Sequence, residues 1–475
     1  MYDKLLLLIA LFVCHAGSRI LNLVCLKLGD KHTMPCAAKT LHAGIWLFGS
    51  MVACAVFGFQ GYIASLVQTL IVYIILRQFT KYSMTKYIVL IGVLLITFVL
   101  QLERAFRLGT SGFGRVDYAI CQMLLAIKLS SVAFQVRDGY IRKLLGAKSL
   151  KNGHWDAQAV NEIPGLLEFL GYVYFFPTFL TGPTLNLQLY KDYFNHYYYH
   201  HDDDDDDGTD KLHPNKLPRN VVSRAANIRI VKSLIYFGIS LMLDWAFGAQ
   251  TLMSLWFAEC RLITKVLVMW GYVLSIKCKY YAAWTFGEAN AVACGIAYSG
   301  KKENKYEWEN GVNVRPWAVE TADNVKTLQS NWNLCTQDWL KNCIYLRLKH
   351  ELKLRETVCM LTTNMVAACW HGFYFGYLVT FLSSGALTSI SRLMYARIRP
   401  HIIRLSQKEP GIRWIYSAIG TLAIQVILSY TIVGFGLLEF WKTWHVYKQV
   451  YFYGWVTLPA LFAALMLIPK TSKYY

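Results

Sequence analysis

The chain has 475 residues, of which 55% are hydrophobic and 15% aromatic, while only 16% are charged. Because ordinary soluble domains carry roughly 25% charged residues, this composition argues against a soluble protein and indicates one embedded in a membrane. The net charge is +19, but so apolar a chain is not expected to bind nucleic acid.

Long apolar segments recur along the whole chain. A bilayer-spanning helix needs about 20 mostly apolar residues, and shorter segments can tilt, re-enter or lie inside a bundle. We predict an all-α, polytopic membrane bundle with about ten to twelve membrane elements, forming one domain over residues 1–475. The candidate segments are Leu5–Leu26, Leu41–Phe57, Tyr62–Leu76, Ile88–Leu102, Tyr118–Val136, Ile163–Phe179, Val231–Phe247, Leu262–Ile276, Tyr281–Ala297, Val358–Phe381, Trp414–Leu437 and Phe452–Ile468.

The start of the chain predicts a retained helix. Lys4 is the only basic residue before the first apolar run, and no convincing small-residue cleavage site follows that run. Both features disfavour a removed signal peptide.

Basic residues gather between the apolar segments, for example from Arg137 to Lys151, as is typical of cytoplasmic loops. Two more basic stretches, 341–355 and 392–413, flank the candidate segment Val358–Phe381. A simple single crossing there would conflict with the positive-inside tendency, so either the segment bends back or one stretch lies at the interface. The charge either sets topology and attracts anionic lipid or meets an anionic substrate such as the phosphates of coenzyme A.

The longest polar interruption, residues 191–219, holds six consecutive aspartates, Asp202 to Asp207, and is predicted to be a flexible surface loop. His200 and His201 precede the aspartates and could help to bind a metal, but tracts of one charge are usually solvated. The glycine-rich group Gly109–Gly114 resembles a phosphate-binding loop only superficially, because it lacks the Lys-Ser/Thr ending of such loops. No repeat of a kind that would indicate a repeat-built transporter is found in the sequence.

Twelve cysteines are scattered without a Cys-x-x-Cys pair, so neither a zinc framework nor a redox motif is indicated. We expect most of them to be small core residues, and we expect no metal and no cofactor.

One histidine, His371, lies inside the uncharged run Val366–Phe381. An ionisable side chain at membrane depth is costly, which makes it a candidate functional residue. Burial would keep the imidazole neutral, so that His371 could take the proton from a hydroxyl during acyl transfer. The alternative is a structural histidine that bonds a backbone carbonyl between helices.

Upstream, Asn333 lies between Trp332 and Trp339. Its amide could orient the attacking hydroxyl or stabilise the developing oxyanion without adding a charge. Its spacing from His371 fits a helical hairpin, or a horizontal element followed by a membrane helix. The alternative role is an ordinary helix N-cap.

Several motifs in the region from Lys279 to Phe381 resemble the membrane-bound O-acyltransferase family, and within it the lysophospholipid acyltransferases. A looser similarity extends through Arg137-Asp-Gly139 and Tyr174-Phe-Phe-Pro-Thr-Phe-Leu-Thr-Gly-Pro183. The main motifs, in their order, are Lys279-Tyr-Tyr-Ala-Ala-Trp-Thr-Phe-Gly-Glu288, Asn313-Val, Val319-Glu-Thr-Ala322, Trp332-Asn-Leu-Cys-Thr-Gln-Asp-Trp-Leu340, Tyr345-Leu-Arg347 and Trp370-His-Gly-Phe-Tyr-Phe-Gly-Tyr377.

The resemblance implies that His371 and Asn333 are the catalytic pair, set in a tunnel that admits acyl-CoA from the cytosol and lysolipid from the bilayer. It implies transfer of a fatty acyl group from acyl-CoA to the free glycerol hydroxyl of a lysophospholipid, as in phospholipid remodelling. The motif forms are closer to this branch than to the sterol, diacylglycerol or protein-modifying branches, which stay as alternatives because a fold alone does not define a substrate.

Neighbouring residues suggest subsidiary roles in substrate binding. The aromatic ones either line the acyl passage or anchor the membrane interface. Glu288 could pair with a buried base or position the lysolipid head group. The alternative is that it only takes part in helix packing. The candidates are Trp332, Thr336, Trp339, Trp370, Tyr377 and Glu288.

Two rival mechanisms remain. An acyl-enzyme could form on Cys335 or Cys369, although Cys369 does not share a helix face with His371. In another class, a transporter or lipid scramblase could use His371, Asp244 and Glu288 as a polar pathway.

The location follows from the expected substrates. Acyl-CoA and new lysolipids meet at the endoplasmic reticulum membrane, where we expect the protein, although the tail Lys470–Tyr475 is not a proper dilysine signal. A homodimer is left open.

Overall fold

A computed structural model describes residues 2–29, 35–108, 118–146, 150, 152–198, 217–303, 305–409 and 411–469. Most of them are helical. The first helices are α1 (Tyr2–Gly29), α2 (Pro35–Phe79), α3 (Thr85–Leu108), α4 (Tyr118–Leu145), α5 (Gly153–Gln158), α6 (Leu166–Val173), α7 (Phe176–Phe179) and α8 (Leu187–Tyr198). They are followed by α9 (Arg219–Phe247), α10 (Ala249–Leu252), α11 (Leu255–Glu259) and α12 (Leu262–Cys294).

A short hairpin separates these helices from the rest. Its antiparallel strands are β1 (Gly300–Lys302) and β2 (Lys305–Glu307), with Lys301 opposite Tyr306, and a 3₁₀ turn (Glu309–Gly311) follows. The later helices are α13 (Pro316–Glu320), α14 (Val325–Gln329), α15 (Leu334–Trp339), a π-helical turn (Leu340–Tyr345), α16 (Leu346–His350), α17 (Glu356–His371), α18 (Phe375–Arg397), α19 (Arg399–Lys408), α20 (Gly411–Leu437), α21 (Phe440–Gln449) and α22 (Tyr453–Leu467).

The chain divides into two compact units that interleave in sequence. The first unit is Met1–Ser233, Ala283–Asn313 and Asp338–Ile344. The second unit is Leu234–Ala282, Val314–Gln337 and Tyr345–Tyr475. A single domain over residues 1–475 therefore stays a prediction.

The first unit packs α3 on α4 and α2 on α6. Lys128 of α4 is buried in it, and its ammonium donates to the carbonyls of Tyr172 and Val173 at 3.0 and 3.2 Å. These bonds satisfy carbonyls at the end of α6, which have no partner inside their own helix.

Two apolar cores lie in the part of the second unit that the structure describes. One joins α12, α20 and α21 around Met269, Tyr430 and Val446. The other joins α18, α20 and α22 around Leu387 and Leu428. Helix α20 belongs to both cores, so its position is fixed from two sides.

Six helices in the described part of the chain are long and apolar enough to cross a membrane, or up to seven if the bent pair Phe440–Gln449 and Tyr453–Leu467 is one span. The prediction of an all-α, multi-pass membrane protein is confirmed. The six are Leu5–Lys27, Ala38–Phe79, Thr85–Glu103, Tyr118–Leu145, Arg219–Leu252 and Gly411–Leu437.

Some predicted segments have different boundaries. The predicted segments Leu41–Phe57 and Tyr62–Leu76 both lie in α2, and between them the helix is interrupted by a kink at Gly58, where φ is 82°. The pair Leu262–Ile276 and Tyr281–Ala297 lies largely in the continuous helix α12. Apolar composition alone does not show that a helix continues through charged residues such as Lys277 and Lys279, which explains why the second pair is one helix.

The predicted loop 191–219 is shorter than expected. Residues 191–198 continue α8, and α9 begins at Arg219. His200, His201 and the aspartates Asp202 to Asp207 lie outside the described residues, as do Gly109–Gly114 and the tail from Lys470.

Candidate functional site

The predicted segment Val358–Phe381 is broken directly after His371. Helix α17 ends at this histidine, and α18 begins at Phe375. Gly372 caps α17 with φ 118°, a conformation that favours glycine, and its N–H donates to the carbonyl of Ala368 at 3.1 Å. The Trp-His-Gly motif therefore places the imidazole at a helix end and not along a continuous membrane span.

Four aromatic side chains surround the half-buried imidazole of His371. Their ring centroids lie 4.7 Å away for Trp370, 5.0 Å for Phe381, 5.2 Å for Phe435 and 5.5 Å for Tyr377. Apolar rings disfavour the charged imidazolium, so this setting favours a neutral imidazole that can accept a proton.

Asn333 immediately precedes α15 and has φ 46°. Its carbonyl accepts the N–H of Gln337 at 3.0 Å, which starts the helix. An ordinary N-cap has extended backbone angles, whereas Asn333 is in the left-handed region that asparagine tolerates better than most residues. Its backbone conformation therefore differs from that of the simple N-cap considered above.

A chain of ring contacts connects the neighbourhood of Asn333 with His371 inside the second unit. Trp332 lies 5.9 Å from Tyr280, and Tyr280 lies 6.2 Å from Phe435, as measured between ring centroids. Phe435 in turn contacts His371. We call Trp332, Tyr280, Phe435 and His371 the aromatic relay. The network thus has His371 at one end and Trp332, the residue before Asn333, at the other.

Sequence reasoning missed Phe435 as a site residue. It lies in an uncharged apolar segment where one phenylalanine looks like any other. Tyr280 lies inside the family motif that begins at Lys279, but the sequence provided no reason to place it next to Trp332.

The other candidates are distributed over both units. In the second unit, Trp370 and Tyr377 are buried against His371, and Thr336 is buried in α15. In the first unit, Trp339 is 2% exposed and its indole N–H donates to the hydroxyl of Ser130 at 2.9 Å.

Glu288 is also buried in the first unit, where its carboxylate accepts the backbone N–H of Asn313 at 2.8 Å. The observed contacts of Trp339 and Glu288 fasten chain segments to each other. Their proposed roles towards a substrate stay predictions.

A close helix crossing supports the His371 environment. A Cβ on Gly376 would lie 1.9 Å from the carbonyl oxygen of Gly434, so the backbones of α18 and α20 touch at this point. The Gly376 N–H also donates to the carbonyl of Leu438 at 2.9 Å. This approach brings Tyr377 and Phe435 to a ring distance of 4.7 Å beside the histidine.

Comparison with known proteins supplies a family. The model of MBOAT, the membrane-bound O-acyltransferase family, matches residues 56–433. A lysophospholipid acyltransferase of Schizosaccharomyces pombe is 29% identical over 342 residues, covering 71% of this chain and 64% of that protein. The chain thus spans less than two thirds of the length of that relative.

Two further relatives are covered more completely. A lysophospholipid acyltransferase of Saccharomyces cerevisiae is 28% identical over 453 residues, which is 93% of this chain and 71% of the relative. The human membrane-bound glycerophospholipid O-acyltransferase 2 is 28% identical over 448 residues, which is 93% of this chain and 82% of the relative.

Proposed function

Because the chain belongs to the membrane-bound O-acyltransferase family, we propose that it transfers a fatty acyl group from acyl-CoA to the free glycerol hydroxyl of a lysophospholipid. The names of its relatives support the lysophospholipid as acceptor. The family resemblance seen in the motifs is confirmed.

One structural observation carries the catalytic part of the proposal. His371 ends α17 inside a ring of aromatic side chains, and the aromatic relay leads from it to Trp332, the residue before Asn333. A neutral base at one end of this network and, at the other, the residue next to an amide donor suit acyl transfer, which needs both proton removal and oxyanion stabilisation.

In the proposed reaction, the lysophospholipid hydroxyl gives its proton to the imidazole of His371 as its oxygen attacks the thioester carbonyl of acyl-CoA. The Asn333 amide orients the hydroxyl or donates to the tetrahedral oxyanion. Collapse of the intermediate breaks the carbon–sulfur bond, and the imidazolium returns its proton to the leaving CoA thiolate. The products are a phospholipid and CoA, and His371 is neutral again.

The multi-pass architecture is consistent with a lipid substrate that never leaves the bilayer. We place the enzyme in the endoplasmic reticulum membrane, where both substrates would be available. Organelle markers imaged with the tagged full chain would test this location.

The test of function uses the full chain purified in detergent, a labelled unsaturated acyl-CoA and a panel of lysophospholipids. We expect a phospholipid product with the wild type and at least about a hundredfold loss with His371→Ala, the low end for removing a general base. Asn333→Ala should also lower the rate. A matched control is His445→Ala, an exposed histidine of α21 in the same unit.

The outcomes separate the alternatives. Full activity of His371→Ala would remove the proposed base. A wild type that acylates only sterols, diacylglycerol or a protein would move the enzyme to another branch. A folded wild type that consumes no acyl-CoA with any acceptor would favour a transporter or scramblase.

A further inference from the structure

A polar network in the second unit has no role in the proposed chemistry. Its centre is Glu320, the last residue of α13. One carboxylate oxygen pairs with the ammonium of Lys277 at 2.7 Å, and the other accepts the hydroxyl of Tyr281 at 2.7 Å. Lys277 and Tyr281 are four residues apart on α12 and are both buried. Glu320 thus bridges two adjacent turns of one helix.

Helix α20 holds the same carboxylate from another direction. The amide of Gln425 donates to the backbone carbonyl of Glu320 at 2.9 Å and to its carboxylate at 3.4 Å. Its oxygen accepts from Lys277 at 3.2 Å and from the indole of Trp270 at 3.3 Å. The side chain and the backbone of Glu320 are therefore both fixed, which leaves the carboxylate little rotational freedom.

The network ends at Trp332, the residue before the proposed catalytic asparagine. The ring of Tyr281 lies 5.7 Å from Trp332, with the two planes at 69°. Trp332 is bonded directly to Asn333, whose backbone has the left-handed conformation. A shift of the Tyr281 ring would therefore move the peptide that carries the Asn333 side chain.

We propose that Glu320 and Tyr281 are positioning residues that hold the Asn333 amide in its working orientation through Trp332. This inference rests on the proposed function. Glu320 fixes the phenol of Tyr281, the phenol fixes the Trp332 ring, and the ring fixes the chain at Asn333. Lys277 and Gln425 orient Glu320, and none of these four residues touches the reacting atoms.

Stability alone is a poor reason for this network. Lys277 is buried and Glu320 is 26% exposed. For such a pair, the cost of removing charge from water offsets much of the attraction between the charges. Directional hydrogen bonds do, however, select one orientation where an apolar contact would allow several. Rate enhancement depends steeply on such orientation, since a misplacement of about 1 Å can cost about a hundredfold.

The test is a double-mutant cycle in the full chain, measured with the acceptor that the wild type uses best. Tyr281→Phe removes the hydroxyl and keeps the ring. We expect kcat to fall about 10- to 100-fold with KM for acyl-CoA and acceptor unchanged. In the Asn333→Ala background, Tyr281→Phe should have no further effect on the residual rate, because the amide that it positions is gone.

The matched control is Tyr447→Phe. Tyr447 is fully buried in the same unit and donates its hydroxyl to the carbonyl of Tyr430 at 3.2 Å, but it belongs to the apolar core. Loss of the Tyr447 hydroxyl should lower thermal stability as Tyr281→Phe does, but it should leave kcat unchanged.

A second arm does not depend on the residual rate of Asn333→Ala. Glu320→Gln leaves Lys277 without its carboxylate, so kcat should fall. Lys277→Met combined with Glu320→Gln removes both charges and keeps an amide oxygen that can accept the Tyr281 hydroxyl. We expect this pair to recover most of the kcat lost in Glu320→Gln.

Three results would overturn the positioning role: normal kcat in Tyr281→Phe, additive effects in the Asn333→Ala background, or no recovery in the paired variant. They are distinct from failure of the proposed function, which would appear as a wild type inactive on every lysophospholipid. If another acceptor class were used instead, the same cycle on that acceptor would decide the role of Glu320 and Tyr281.

Discussion

The imidazole of His371 and the phenyl ring of Phe435 meet edge to face, with centroids 5.2 Å apart and planes at 78°. The two residues come from α17 and α20, and Phe435 also contacts Tyr280 of α12. Aromatic pairs of this kind contribute about 0.5–1.5 kcal/mol beyond the burial of their surface. Phe435 therefore restricts the orientation of the proposed base.

The first prediction concerns this contact. Phe435→Leu should lower kcat about tenfold, a fraction of the loss from removing a base, because the imidazole gains orientations that do not meet the hydroxyl. Stability should fall too, because three ring contacts of Phe435 are lost, but by less than the roughly 3–5 kcal/mol of a truncation to alanine. Steady-state kinetics and thermal unfolding in detergent measure the two effects.

Phe440→Leu is the control for that prediction. Phe440 makes an edge-to-face pair with Phe375 at 4.7 Å in the same unit. A similar kcat loss in both variants would mean that Phe435 acts on general packing only.

The second prediction separates the Asn333 amide from its backbone conformation. Both Asn333→Ala and Asn333→Gly remove the amide, so both should lose activity. Glycine tolerates φ 46° without strain, whereas alanine does not. Asn333→Gly should therefore be more stable than Asn333→Ala by about 1 kcal/mol, measured by unfolding. Retained activity in the glycine variant would show that the amide is dispensable.

The third prediction concerns the crossing of α18 and α20. Gly376→Ala should destabilise the protein by about 1–3 kcal/mol because its methyl group would meet the Gly434 backbone. Activity should fall as well, since the separation of these helices disturbs the Tyr377–Phe435 contact.

Gly238→Ala in α9 is the matched control for this crossing, since a Cβ there meets nothing within 4 Å. It should be neutral or stabilising by about 0.5–1 kcal/mol. Equal thermal midpoints for the Gly376 and Gly238 variants would contradict the close approach.

The fourth prediction tests the acyl-enzyme alternative. Cys335 and Cys369 carry partly accessible thiols. If the lysolipid attacks acyl-CoA directly, the variant with both Cys335→Ala and Cys369→Ala should keep most of its activity. A labelled acyl group trapped on either cysteine of the wild type, released by hydroxylamine, would replace the direct mechanism with a covalent one.

Part of the site was predictable because it depends on residue type and local context. A histidine inside an uncharged run is visible in the sequence, and so is an asparagine between tryptophans. The contacts of Glu288 and Trp339 were not predictable. They join residues far apart in the chain, Glu288 to Asn313 and Trp339 to Ser130, and local pattern carries no information on such pairs.

The sequence by itself determined the class of protein. Hydrophobicity adds up locally, so long apolar segments establish a helical membrane protein, and the motifs around Asn333 and His371 identify its family. Only the tertiary structure decided that α17 stops at His371, that Phe435 packs on the imidazole, and that Glu320 holds Tyr281 against Trp332. These features depend on helix packing, where partners are chosen by shape and distance and not by position in the chain.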